Sequence, residues 1–158
     1  MVSAFSRPAY QLAAALLKNP AIAEEVVQEA FLRAMQSRRT PREKSEFRRW
    51  LYRILINLIR EHHRRGQRWR RVRLVPEPGL DPQAVAERRM GDAEMARALE
   101  LLSPREREAV YLRFFEDADY AAVAEIMRIS ESTTRVMVHR ALDKLRDHLN
   151  LQQKREIQ

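Results

Sequence analysis

The sequence predicts an all-α protein of two small helical domains joined by a flexible linker, the second containing a helix-turn-helix. Three observations predict it. Gly is held to 3 of 158 residues while Ala, Leu, Arg and Glu dominate, a balance that favours helix over turn-rich sheet. Apolar residues recur at steps of three and four through every long segment. A stretch with three Pro and a Gly, LVPEPGLDPQAVAE at Leu74 to Glu87, separates a strongly basic half from a nearly neutral one.

The first pattern runs from about Tyr10 to Lys18, with Leu12, Ala13, Leu16 and Leu17 on one side, and stops at Asn19-Pro20, a pair that marks breaks. A second helix follows, AIAEEVVQEAFLRAM, with Ile22, Val26, Val27, Ala30, Phe31, Ala34 and Met35 at helical spacing. Glu24, Glu25 and Glu29 fall in its first turns, where the dipole favours negative charge. A polar basic loop, Ser37 to Ser45, leads to a third helix whose stripe is Phe47, Trp50, Leu51, Ile54, Leu55, Leu58 and Ile59, ending near Arg65.

After the linker, taken as 74–92, a helix is expected near Asp92 to Leu102. Ser103-Pro104-Arg105-Glu106 then reads as N-cap, first helical residue and capping-box partner, opening a helix to about Phe115. Asp117 and Asp119 punctuate the next turn. A short helix spans Tyr120 to Met127, and Ser130 caps a longer one in which Thr134, Val138, Ala141, Leu142 and Leu145 face inward. Short helix, tight turn and longer basic helix form a helix-turn-helix, with Ala124 small enough for close approach and Ile129 plugging the turn.

Residues 1–73 hold 17 Lys and Arg against 6 Asp and Glu, a net +11, while residues 103–149 hold 8 against 9, a net −1. A charge of that size on one domain points to a polyanion partner. With no Cys, disulfides, thiolate metal sites and zinc fingers are excluded. The longest apolar runs are too short to span a bilayer and the N-terminus carries no secretion signal, so membrane insertion is not expected and a cytoplasmic location is. No cofactor and no metal is called for: His62 and His63 are adjacent on a helix, where side chains diverge and do not chelate together. Paired carboxylates at a strand end, a phosphate-binding Gly loop and a nucleophile with a base are all absent, so a nucleic-acid enzyme is disfavoured and no catalytic residue is assigned.

The third helix carries Arg48, Arg49, Arg53, Arg60, Arg64 and Arg65 on its other face, and Arg68, Arg70, Arg71 and Arg73 surround Trp69 beyond it. Charge interleaved with aromatics can hold a nucleic-acid backbone and stack an exposed base. Trp50 shares the apolar stripe and reads as core; Trp69, among polar neighbours, is the better stacking candidate. On the last long helix Arg135 and Arg140 can reach guanine edges or phosphates in a major groove, and His139 can do so more weakly.

AEEVVQEAFLRAM at Ala23 to Met35, FRRWLYRILINL at Phe47 to Leu58, LSPREREAVYLR at Leu102 to Arg113 and the Tyr120 to Leu145 block, in this order, resemble the extracytoplasmic-function group of bacterial RNA polymerase sigma factors. The resemblance covers nearly the whole chain. It implies a region-two-like domain over 1–73, a linker over 74–92, a region-four-like domain over 93–150 and a tail over 151–158. It implies an alternative sigma factor, not an enzyme, whose partners are core RNA polymerase (clamp helices and flap) and promoter DNA. Most members are held inactive by an anti-sigma protein, so one is a candidate partner.

Carried over residue by residue, the resemblance implies polymerase contacts at Glu25, Gln28, Glu29 and Arg33. It implies minus-ten recognition and melting around Asn57, with Arg49, Arg53, Arg60, Glu61, Arg64, Arg65 and Trp69. The minus-thirty-five contacts fall on Arg113, Arg135, His139 and Arg140. The sequence also departs from the family. The usual further N-terminal helix is missing or reduced to a few residues, Asp117 and Arg128 replace turn glycines, and Val136 and Met137 replace polar or basic residues. The competing reading is a stand-alone helix-turn-helix regulator, since LSPRERE with a helix-turn-helix also resembles response-regulator output domains; the basic first domain, without a βαβ pattern, speaks against it.

Overall fold

A computed structural model of the chain describes residues 2–72 and 97–157. The linker expected over 74–92 lies outside the described residues. Among those described the protein is helical throughout, without strands. Helix α1 spans Val2–Leu17, α2 Pro20–Gln36 and α3 Lys44–Val72. After a short helical piece at 97–100 come α4, Pro104–Val110, a π-helical turn at Tyr111–Phe115, α5 at Tyr120–Met127 and α6 at Glu131–Ile157.

Helix α1 begins eight residues earlier than the apolar pattern alone indicates and carries Pro8 inside it. Proline removes one backbone hydrogen bond from a helix interior. Burial of Phe5 and Ala9 on the same face as Leu12, Ala13 and Leu16 offsets that loss. Asn19-Pro20 is less a break than a start: the Asn19 side chain accepts from the Ala21 and Ile22 amides at 3.1 and 3.3 Å, and Pro20 occupies the first helical position. Helix α3 does not end near Arg65 but continues through Gly66 to Val72.

The expected inward stripe of α2 is buried at Val26, Val27, Ala30 and Ala34, but Met35 is 72% exposed. On α3 the buried set is wider than one stripe. Tyr52 and Ile56 are enclosed along with Phe47, Leu51, Leu55, Leu58 and Ile59, while Trp50 is half-buried against the cluster, its ring 5.8 Å from that of Phe47. The reason is tertiary: α5 packs against α3. Leu112, Val123, Ile126, Met127 and Val138 from the second half therefore belong to the same buried cluster as α1–α3. A smaller cluster of Leu102, Val110 and Ala141, flanked by Leu99 and Leu145, ties α4 to α6.

Ser103 caps α4 by accepting from the Glu106 amide at 3.2 Å, with Pro104 first in the helix. The reciprocal arm of the capping box is replaced: the Glu106 carboxylate takes the Lys144 ammonium at 2.7 Å instead. Asp119 caps α5 through the Ala122 amide at 2.8 Å, and Ser130 caps α6 through Thr133 at 3.1 Å. Between them the Ile129 amide reaches the Ala124 carbonyl at 3.1 Å, closing a Schellman turn around Arg128.

Three non-glycine residues, Lys18, Asp117 and Arg128, have φ of 54°, 53° and 57°. At Asp117 and Arg128, which replace turn glycines, the left-handed backbone is thus made by residues with a Cβ, and Lys18 adds a third, unexpected position of this kind. A side chain there costs about 1 kcal/mol against glycine. Arg128→Gly should therefore raise stability by about 0.5–1 kcal/mol, read as a shifted urea midpoint at unchanged slope; an unchanged or lowered midpoint would show that the Arg128 side chain makes up the difference.

Candidate nucleic-acid interface

The α3 face expected to meet nucleic acid is built from one long helix whose apolar side is clamped by α1, α2 and α5, leaving its arginines along one flank. Four of them are engaged by the second half. Arg60 forks onto Glu108 of α4, with Nη2 donating to Oε2 at 2.7 Å and Nε to both carboxylate oxygens at 3.1 and 3.2 Å; the two side chains are 19% and 4% exposed. Arg48 donates to the Glu116 backbone carbonyl and, at 3.1 Å, to its carboxylate. The Tyr52 hydroxyl donates to that same carboxylate at 2.7 Å. Burial and the adjacent Glu116 push the phenol far above its ordinary range, so it remains a donor at any physiological pH.

Arg53 donates to the Glu125 carbonyl near the C-terminus of α5, from Nη2 at 3.1 Å and Nε at 3.4 Å, where the helix dipole favours a cation. Arg49 lies 2.9 Å from the Glu125 carboxylate, with its buried Nε–H not aimed along the contact. Farther out, Lys18 pairs with Glu100 at 2.7 Å on the surface and depresses that carboxyl below its usual range. Three carboxylates and two backbone carbonyls of the second half thus occupy Arg48, Arg49, Arg53 and Arg60, the last three of which the resemblance assigns to promoter DNA.

Beyond these, Asn57 is exposed and unobstructed for a partner, and Arg64 and Arg65 are exposed, Arg65 held by Glu61 one turn back at 2.8 Å. The side chain of Trp69 lies outside the described residues. His63 is partly buried, with Leu16, His62, Glu108 and Arg107 nearby. Burial, its largest influence, pulls its pKa below the ordinary imidazole value. The unfolded chain then binds more protons at His63 than the folded one, so stability is lost as pH falls from about 6.5 toward the lowered folded value. His63→Gln should flatten the pH dependence of the melting temperature between about pH 7 and 5; an unaltered profile would place the titration elsewhere.

The outer face of α2 presents Glu25, Gln28, Glu29 and Arg33, all exposed, with Arg33 and Glu29 paired at 2.9 Å. Beside them is a feature that the periodicity did not isolate. Leu32 and Met35, 52% and 72% exposed, line an apolar groove of about 700 Å³ with Ser6, Tyr10, Val27 and Phe31. Counting Met35 into the inward stripe concealed it; that Leu32 falls outside the stripe was the available signal.

In the second half Thr134, Val138 and Ala141 of α6 are buried, which turns Arg135, His139 and Arg140 outward. Arg135 pairs with Glu131 at 2.9 Å. Arg113, half-buried on the π-helical turn, shares the ring of Tyr120 with Arg135: their guanidinium carbons lie 5.1 and 4.6 Å from the centre of that ring. Among the described residues no group of three His, Cys, Asp or Glu is placed to hold a metal, and no helix is long and apolar enough to cross a membrane.

A three-helix body whose third helix carries a basic flank, followed in the same chain by a helix-turn-helix with outward cations, has the makings of a DNA-binding protein. The comparisons specify the class. Residues 1–70 match the model of Sigma-70 region 2, and residues 92–145 match that of Sigma-70 region 4. The chain is 34% identical over 148 residues to the ECF RNA polymerase sigma factor SigE of Mycolicibacterium smegmatis, covering 89% of this chain but 56% of that protein's length. It is 31% identical over 140 residues to the RNA polymerase sigma factor CarQ of Myxococcus xanthus, covering 86% of this chain and 79% of that one. The fold matches the sigma factor RpoE of Bartonella quintana, solved in complex with the anti-sigma factor NepR, at a TM-score of 0.78 and 22% identity, over 94% of each chain.

The chain belongs to the sigma-70 family, in its extracytoplasmic-function (ECF) group, and is a transcription initiation factor. The region-two match over residues 1–70 sets aside the stand-alone regulator, whose first domain would be of another kind.

Proposed function

We propose that this chain is a non-enzymatic alternative sigma factor that works in the cytoplasm, joins core RNA polymerase and directs it to a two-part promoter. Residues 1–73 act as the polymerase-binding, minus-ten and melting domain, and residues 93–150 as the minus-thirty-five domain. Helix α2 docks on the clamp helices of the polymerase's largest subunit through Glu25, Gln28, Glu29 and Arg33; the exposed Leu32 and Met35 supply apolar contact in the same patch. Helix α3 carries Arg49, Arg53, Asn57, Arg60, Glu61, Arg64, Arg65 and Trp69 toward the opened strand, where cations follow the backbone and polar groups meet an unstacked base. Helix α6 enters the major groove with Arg135, His139 and Arg140, Arg113 flanking it.

The observation that carries this reading is the coexistence of an arginine flank on α3, partly covered by the second half, and an outward cationic face on α6, in a chain matching both sigma regions. In the closed packing Glu108, Glu116 and Glu125 stand where phosphates would stand against α3. A guanidinium cannot serve a carboxylate and a phosphate with the same donors at once, so promoter engagement requires the two halves to part. An anti-sigma protein that holds them together would keep the factor inactive; the fold neighbour's complex with such a protein supports including one among the partners.

Promoter-selective transcription with purified core RNA polymerase on a library of random upstream sequences tests the proposal. Start sites that fire only with this protein, sharing two motifs at one fixed spacing, are the expected result. Binding to polymerase without any selected start site, or no binding at all, would overturn it.

A further inference from the structure

Arg113 is an unusual cation. It sits half-buried on the π-helical turn, its Nε is buried without a hydrogen-bond partner, and among the described residues no carboxylate pairs with it. Two aromatic rings hold it instead, Phe114 at 5.5 Å and Tyr120 at 5.1 Å. The Tyr120 ring also takes Arg135, from a different helix, at 4.6 Å. One half-buried ring therefore gathers two guanidiniums from elements 22 positions apart in the chain. Their guanidinium carbons are thus separated by no more than the sum of their two distances from the ring centre, and among the described residues only one of them has a carboxylate within ion-pair distance: Glu131, at 2.9 Å from Arg135, is itself half-exposed.

A ring face attracts each cation, by about 0.5–2 kcal/mol depending on solvation, but it neutralises neither. What the arrangement lacks is an anion able to accept from both forks. A DNA phosphate has that chemistry: its oxygens accept guanidinium hydrogen bonds in a bidentate manner, and its charge offsets theirs. A base edge would serve one arginine at a time.

We propose that Tyr120 is a positioning residue, its ring holding both Arg113 and Arg135 in place so that together they grip the backbone phosphates of upstream promoter DNA. The proposal rests on the reading of this half as the upstream DNA-binding domain. It assigns Arg135 to register on the backbone and leaves base reading to Arg140 and His139. The ring face matters and the hydroxyl does not, so Tyr120→Phe should keep the function while Tyr120→Leu, of similar apolar bulk, should lose it.

The test measures holoenzyme binding to a promoter fragment selected by the wild-type holoenzyme from the random library, as a function of salt. Each lost phosphate contact lowers the slope of log K against log salt by about 0.9. Tyr120→Leu should lower the slope by roughly 1 to 2 and weaken binding about tenfold, Tyr120→Phe should retain the wild-type slope, and Tyr120→Leu should add less than about twofold in an Arg113→Ala, Arg135→Ala background. A variant that merely unfolded part of the population would lose affinity at unchanged slope, which would overturn the proposal. If Arg113→Ala and Arg135→Ala each flatten the slope while Tyr120→Leu does not, the positioning role falls and the reading of the domain stands. If neither arginine affects binding, the reading itself falls, and the positioning role with it.

Discussion

Glu108→Ala should cost about 3 kcal/mol, the lower end of what breaking one side of a buried ion pair costs. The Arg60 guanidinium, 19% exposed, would lose a forked carboxylate that is itself only 4% exposed. No other acceptor for Arg60 exists among the described hydrogen bonds, so its donors would face a wall without a partner. For a chain of this size 3 kcal/mol is a fall of roughly 6–12 °C in melting temperature. Because Glu108 and Arg60 lie in different halves, the loss should appear with an increase in radius of gyration in scattering experiments as the halves separate. A fall of less than 2 °C with unchanged dimensions would mean that Arg60 reaches water without help and that the closed packing rests on the apolar cluster alone.

The second large effect concerns the promoter. Replacing Arg60, Arg64 and Arg65 together by Ala should reduce promoter opening by the holoenzyme and lower the salt slope of DNA engagement by about 2 to 3, if each neutralises one phosphate. The three are not equivalent. Arg64 and Arg65 are exposed in the closed packing, whereas Arg60 is committed to Glu108. The Arg64, Arg65 pair should account for about 1.8 of the slope, and Arg60 for a further 0.9 only when the halves are apart. An unaltered slope and unaltered opening in the triple variant would show that this flank of α3 does not follow DNA.

Glu108→Ala and the triple variant act in opposite senses on one surface, and only the second effect can be foreseen from the sequence. The sequence made the helices, their caps and the helix-turn-helix legible because these are local: Ser103, Ser130 and the spacing of Val138 and Ala141 carry their own signals. It made the charge on α3 legible for the same reason. What it did not show is where that charge is spent. Glu108 and Glu116 look like ordinary surface residues of an acidic stretch, and their burial depends on a surface more than forty residues earlier in the chain. Tyr52 and Ile56 fall outside a single apolar stripe because two sides of α3 are covered, by elements from both halves. The end expected for α3 near Arg65 gives way to a helix that runs on through Gly66 to Val72, and α1 extends back past Pro8 to bury Phe5, for which the sequence holds no local signal.

The buried cluster that joins the halves has a consequence during synthesis. Helices α1–α3 leave the ribosome first, and the residues that cover Tyr52 and Ile56, from Val123 to Val138, follow only after the intervening chain has been made. At about 5–20 residues per second the nascent first half waits several seconds with that apolar flank uncovered and Arg48, Arg49, Arg53 and Arg60 without their partners. During that interval it is both the form most exposed to misassembly and the form whose cationic flank is freest. The order of translation therefore offers the newborn chain to nucleic acid or to a chaperone before its own second half can close upon it.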